Sequence, residues 1–130
     1  MRKYKFRGKS TTEFDDKKIW LYGDLLQPTE LCNIYEISDC TSIDGSRYQV
    51  EKDSIGQYTG LHDKNGKEIY EEDIVKVKHH NAIYVGTVKF DEEHCEYRIE
   101  LVDAYINLWK KLKDIEVIGN ATDNAELLEE

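Results

Sequence analysis

The side chains best able to do chemistry in this sequence are its clustered carboxylates, its histidines and its cysteines, and their spacing decides what they can do. Carboxylates run together at Glu71-Glu72-Asp73 and Asp91-Glu92-Glu93. Hydrolysis of a glycosidic or phosphodiester bond needs carboxylates at a defined separation in a cleft, or a metal held between them. Consecutive acids at the ends of strand-like runs read instead as solvated turns and as protection against edge-to-edge aggregation. Histidines stand at His62, His79-His80 and His94, the last beside Cys95. A structural zinc site pairs Cys or His a few residues apart at both ends of the motif. Neighbours in a strand point to opposite faces, so His79 and His80, and likewise His94 and Cys95, are expected as exposed turn residues and not as ligands. Neither a nucleophile triad, a phosphate-binding loop nor a dinucleotide fingerprint is present. The expectation is a protein without enzymatic activity, metal or cofactor.

Binding chemistry is the remaining option. Gln57-Tyr58-Thr59-Gly60-Leu61-His62 combines polar tips with a glycine-opened backbone. The basic start, Arg2, Lys3, Lys5, Arg7 and Lys9, has Tyr4 and Phe6 interleaved, and Trp20 and Tyr22 fall on the next strand-like run. Cations beside aromatic faces are what a single-stranded nucleic acid binds to. The candidate patch is therefore Tyr58, Thr59, His62, Trp20, Tyr22 and Arg7. The plainer alternatives are that Gly56 and Gly60 permit turns while Tyr58 packs inward, and that the lysines guard a strand edge. Trp109 with Lys110, Lys111 and Lys113 repeats the pattern more weakly.

Charge weighs against the nucleic-acid option. The 130 residues carry a net charge of −9. Residues 1–60 hold 9 Lys/Arg against 10 Asp/Glu, and residues 61–130 hold 9 against 17. Such a surface repels phosphate backbones at long range. Three cysteines, Cys32, Cys40 and Cys95, make an odd count without a C-x-x-C pair, which argues against a secreted disulfide scaffold. The first residues are too polar for a signal peptide, and no apolar run reaches the length of about 18 residues that a membrane helix needs. A soluble cytoplasmic protein, not membrane-anchored, is expected.

The elements that must position these residues are mostly strands. Tyr4 to Arg7 alternates with a period of two, and Lys17 to Leu26 is apolar on both faces, as in a covered central strand. Gly8 to Asp16 is polar and reads as a loop. Asn33 to Ile37 suggests a short strand, Asp44-Gly45 a turn, and Arg47 to Val50 a strand paired back across it. Asn65-Gly66, between Gln57–Leu61 and Lys67–Tyr70, is a strong hairpin signal because both residues tolerate positive φ. Further strand-like runs are Ile74–His79, Ile83–Phe90, Cys95–Val102 and Ile115–Ile118, with Gly86 fitting a bend or bulge. Val102, Tyr105, Ile106, Trp109 and Leu112 recur at helical spacing, so residues 102–113 are open to either helix or strand. Asp123 and Glu126 resemble a capping box that starts a short tail docked through Leu127 and Leu128.

Short strands joined by tight polar turns predict a mainly β chain with minor helix. The expected layout is an N-terminal strand-rich lobe (1–55), a small SH3-like antiparallel barrel (56–119) and a C-terminal helical tail (120–130).

Gly56-Gln57-Tyr58-Thr59-Gly60-Leu61, Asp63-Lys64-Asn65-Gly66-Lys67-Glu68-Ile69-Tyr70-Glu71 and Asp73-Ile74-Val75 together resemble the signature of the YopX family, small phage and prophage proteins found mainly in Firmicutes. Lys5-Phe6-Arg7-Gly8-Lys9, Trp20-Leu21-Tyr22-Gly23-Asp24-Leu25-Leu26 and Ile115-Glu116-Val117-Ile118-Gly119-Asn120 match in order along nearly the whole chain. The resemblance implies a β-rich fold with a small SH3-type barrel and oligomeric assembly, and it supplies no catalytic residue to carry over. With the strand spacing and the lack of catalytic spacing, it leads to the expectation of an interaction module, a homo-oligomer that meets an unknown host or phage protein through sheet edges and aromatic side chains. The chain departs from the family at Glu72, where Gly is common. If that backbone needs positive φ, Glu72 costs roughly 1 kcal/mol.

Overall fold

A computed structural model describes residues 3–28, 34–39 and 46–128. Strands dominate, with short 3-10 turns and no long helix among the described residues. The chain divides into two units, Met1–Tyr58 and Thr59–Glu130, so the boundary falls inside a strand.

In the first unit, β1 (Phe6–Phe14) and β2 (Lys17–Leu26) form a hairpin across Asp15-Asp16. Both turn residues have positive φ, 51° and 64°, the conformation that a two-residue hairpin of right-handed twist demands. β3 (Tyr35–Asp39) pairs with β2, and β4 (Arg47–Val50) with β3. β4 then returns to β1 at Ser10↔Val50, closing a ring of four strands. A small closed barrel was part of the expected fold, and this ring of pairing spans residues 6–50. Leu21, Ile37 and Val50 are buried inside it. Closure is tight: a Cβ on Gly8 would stand 2.9 Å from that of Val50.

The polar stretch Gly8 to Phe14 is strand and not loop, because its hydroxyls satisfy a bulge. The β1–β2 register shifts between Lys9 and Glu13. There the buried Ser10 donates its Oγ hydrogen to Thr12 O at 2.7 Å and accepts from Ile19 N at 3.0 Å. The expected turn at Asp44-Gly45 lies outside the described residues, as do Cys32 and Cys40.

In the second unit, the later half of β5 (Gly56–His62) meets β6 (Glu68–Tyr70). β7 (Asp73–His79), β8 (Ala82–Asp91), β9 (Glu96–Glu100) and β10 (Tyr105–Asn107) follow as an antiparallel meander. β11 (Ile115–Asn120) pairs with the free side of β7, giving the order β10-β9-β8-β7-β11. Ile69, Val75, Val77, Val88, Ile99 and Ile115 form its core, each with no exposed surface.

One detail differs from the sequence reading, and two segments that it left coarse take definite form. Gly86 is not a bulge: the β7–β8 and β8–β9 registers run without a shift, and the glycine is required because a Cβ would meet Glu100 O at 2.5 Å. The bulge lies in β11, between Val117 and Gly119. Residues 102–113 become the three-residue β10 followed by 3-10 turns at Leu108–Lys110 and Leu112–Asp114. At the C-terminus the turn Ala125–Leu128 follows Asn124, whose carbonyl accepts Leu127 N at 2.9 Å. Asn124 Oδ1 reaches back to Asn120 N at 3.2 Å, occupying the space that a side chain on Gly119 would need.

Candidate functional site

The cation–aromatic patch assembles in part on the first unit. β1 alternates Phe6, Gly8 and Ser10 on its core side with Arg7 and Lys9 on the other. Register places Arg7 opposite Tyr22 and Lys9 opposite Trp20. The Arg7 guanidinium carbon lies 4.9 Å from the Trp20 ring centre and Lys9 Nζ lies 5.3 Å from it. Lys5 Nζ stands 5.4 Å from the Tyr58 ring centre, and Lys5 O accepts Tyr58 N at 2.7 Å. Each ring offers its negative face to a cation. Arg7 and Tyr58, however, are only 6% and 5% exposed, so neither is a platform on which a base could stack. Trp20 is half-buried and Tyr22 exposed.

Thr59 and His62 belong to the second unit. Thr59 is buried; its Oγ1 donates to Ile69 O at 2.8 Å and accepts Leu61 N at 3.1 Å, stitching β5 to β6. His62 is exposed. Of the six residues singled out from sequence, Arg7, Trp20, Tyr22 and Tyr58 share one sheet face and Thr59 serves the scaffold.

The glycine-rich motif that follows proves to be a clasp. Asp63 is buried, and its carboxylate is a hub: Oδ1 accepts Asn65 N and Lys67 N, both at 2.9 Å, and Oδ2 accepts Val117 N at 2.9 Å. Asp63 N donates to Lys67 O at 2.8 Å, and Gly66 N to Asp63 O at 3.0 Å. Only Gly66 has positive φ here, 82°, so the loop is a three-residue turn closed by a glycine and not a two-residue Asn-Gly turn. Burial disfavours charge on Asp63, but the N–H donors of Val117, Lys67 and Asn65, with the Lys67 cation, outweigh it and hold the pKa below the usual carboxylate value. Lys64 N adds a bond to Ile115 O at 3.0 Å, so the hairpin is fastened to β11 at two points. Sequence reading found the hairpin and missed the hub. The signal was Asp two residues before Asn-Gly, the spacing at which an aspartate accepts its own turn's N–H groups.

The second part of the motif works the same way. Asp73, 1% exposed, accepts Tyr70 N at 2.7 Å through Oδ2. Glu72 has φ of 71°, the left-handed backbone that its replacement of glycine put in question. Its N–H donates to Val88 O at 2.9 Å and its carbonyl accepts Ala121 N at 2.8 Å, while its carboxylate binds Lys89 Nζ at 2.7 and 2.9 Å.

A family model described as "YopX protein" matches residues 5–129. The chain belongs to the YopX family. No curated protein matches it. Within the YopX-like motif of this chain, Thr59, Asp63 and Asp73 fasten backbone groups.

The other candidate groups of this YopX-family chain are also engaged. Asp91 Oδ2 bonds His94 Nδ1 and Arg98 Nη2, each at 2.6 Å, while the Arg98 guanidinium lies 3.8 Å from the Tyr105 ring centre. Burial opposes the Asp91 charge, but the His94 hydrogen bond and the Arg98 cation keep its pKa low. His79 and His80 do not point apart: the positive φ of His80 (50°) and Asn81 (64°) folds a tight turn and brings the two rings to 4.0 Å between centres. Burial first, then the His80 and Lys111 charges, lower the His79 pKa. Among the described residues no cluster of three metal-ligating side chains forms, and no helix is long and apolar enough to cross a membrane.

Proposed function

We propose that this chain is a non-enzymatic phage or prophage accessory protein of the host cytoplasm, acting as a protein-interaction and self-assembly module. The observation that carries this reading is the use of polar and apolar groups in the second unit. Four carboxylates of this unit are spent on the scaffold: Asp63 and Asp73 on backbone N–H groups, Glu72 on Lys89 and Asp91 on Arg98. Large apolar side chains meanwhile face solvent, with Ile83 63%, Trp109 57% and Val102 93% exposed. Ile83 and Val102 line one groove, and contiguous exposed apolar surface marks sites that meet other proteins. Affinity capture on the full chain from phage-infected cells, with mass spectrometry, tests the reading. Reproducible enrichment of a phage or host protein that is lost on Val102→Asp plus Trp109→Ala is expected; capture indifferent to these changes would refute it.

A nucleic-acid-binding reading rests on Lys9 and Trp20 with the exposed Tyr22. The burial of Arg7 and Tyr58 and the charge of −9 stand against it. Titration of labelled single- and double-stranded DNA and RNA at low salt decides: binding weakened by Trp20→Ala would favour it, and no affinity would remove it.

A further inference from the structure

β8 is longer than the strand beside it. Its pairing with β9 covers only Thr87 to Asp91, whereas its pairing with β7 continues through Val85, Tyr84, Ile83 and Ala82. The tight turn at His80-Asn81 sets which backbone groups point where. His79 and Ala82 exchange the first pair of ladder bonds, so Tyr84 and Gly86 bond toward β7 while Ile83, Val85 and Thr87 aim their N–H and C=O groups the other way. Thr87 finds Glu100 on β9. Ile83 and Val85 face a groove of about 570 Å³, walled by Leu101, Val102 and Ala104 on one side and by Leu127 and Leu128 of the C-terminal turn. A stretch of open sheet edge at the floor of an apolar groove is a template for one more strand.

We infer that this groove binds an extended acidic peptide segment of a partner protein, which adds to β8 as a short antiparallel strand. The inference rests on the interaction-module reading and names its site. Two observations choose the occupant. The open edge spans Ile83 to Val85, and the groove volume suits a few residues of extended chain and not a domain face. The flank carries three lysines against two acids: Lys78 lies opposite Ile83 and Lys76 opposite Val85, both exposed, with Lys64 and Asp114 on the same surface and Glu116 opposite Lys76 on its other side. Neither Lys76 nor Lys78 forms an ion pair among the described residues, whereas Asp103 stands on the other wall. A peptide Glu-Leu-Glu fits this pattern. Its leucine points inward beside Tyr84 and Leu101, and its carboxylates lie on the face of Ile83 and Val85, within reach of the two lysines.

The probe is blocked Thr-Glu-Leu-Glu-Thr, titrated into the full chain while backbone amide signals are followed by NMR. Shifts at Ile83, Val85, Leu101 and Leu127 are expected. N-methylation of both glutamates, whose N–H groups would bond the edge, should weaken binding about tenfold or more, and methylation of the leucine should leave it within about twofold. Thr-Lys-Leu-Lys-Thr should bind at least about tenfold more weakly, and Lys76→Glu plus Lys78→Glu should invert that preference. No shift with any peptide at millimolar concentration overturns the inference. So does indifference to N-methylation, or to charge. If the Ile83 and Val85 signals move with protein concentration alone, the occupant is a second copy and the acidic-peptide inference falls. A partner captured from infected cells that leaves these signals unmoved would sink this site while the broader reading stands.

Discussion

Replacing Asp63 tests the clasp most sharply, because three backbone donors depend on one carboxylate. In Asp63→Ala the N–H groups of Asn65, Lys67 and Val117 lose their acceptor at once. Leaving a partly buried donor unsatisfied costs about 1 kcal/mol or more, so the loss should be about 3 kcal/mol. Asp63→Asn separates charge from shape. Its oxygen can still serve Asn65 and Lys67, but its NH2 then faces the Val117 N–H, and about 1–2 kcal/mol should go. The pH dependence follows from the lowered pKa. The folded state binds the proton more weakly than the unfolded chain, so the stabilisation is present above the ordinary carboxylate value of 3.8 and is lost as pH falls through the lower folded value. Urea unfolding followed by tryptophan fluorescence, at pH 7 and at pH 3, measures both effects. The gap between wild type and Asp63→Asn should shrink at the lower pH. Variants within about 0.5 kcal/mol of wild type at pH 7 would refute the reasoning, since surface changes of no structural consequence fall in that range.

Gly86→Ala should destabilise the second unit by about 3 kcal/mol, because the clashing atom is the backbone oxygen of Glu100 and cannot rotate away; denaturation midpoints check it. Comparing Glu72→Gly with Glu72→Ala isolates backbone strain. Both lose the half-exposed Lys89 pair, and only alanine keeps a side chain at φ of 71°, so glycine should be more stable by about 1 kcal/mol. NMR titration of His79 should give a midpoint below the ordinary 6.5, moving up in Lys111→Gln and in His80→Gln; a midpoint unmoved by both would contradict the described cluster.

Much of the strand layout was legible because each strand carries its own short-range signal. Trp20 to Leu26, Ile74 to His79 and the Asn65-Gly66 loop declare themselves within a few residues. What escaped was non-local or hidden in polar chemistry. The ring of the first unit closes through the Ser10↔Val50 pairing with the adjoining Glu51 N to Lys9 O bond, and through the absence of a side chain at Gly8, none of which has a periodicity to read. β1 ran on past Gly8 because Ser10 supplies a hydroxyl to its own bulge, which composition reports only as polarity. Asp63 takes one of its donors from Val117, 54 positions away, so only its local half was open to inference. For the site, adjacency misled twice. His79 and His80 come together because a turn breaks the strand alternation, and Tyr58 and Arg7 offer the right chemistry but are buried.

The claim that this YopX-family chain works by assembling with other protein surfaces is met most directly by its mass in solution. Light scattering on the purified full chain across the micromolar range should return a multiple of the 15.3 kDa chain mass, falling toward the monomer in Trp109→Ala. A wild-type mass of 15.3 kDa at every concentration would contradict self-assembly.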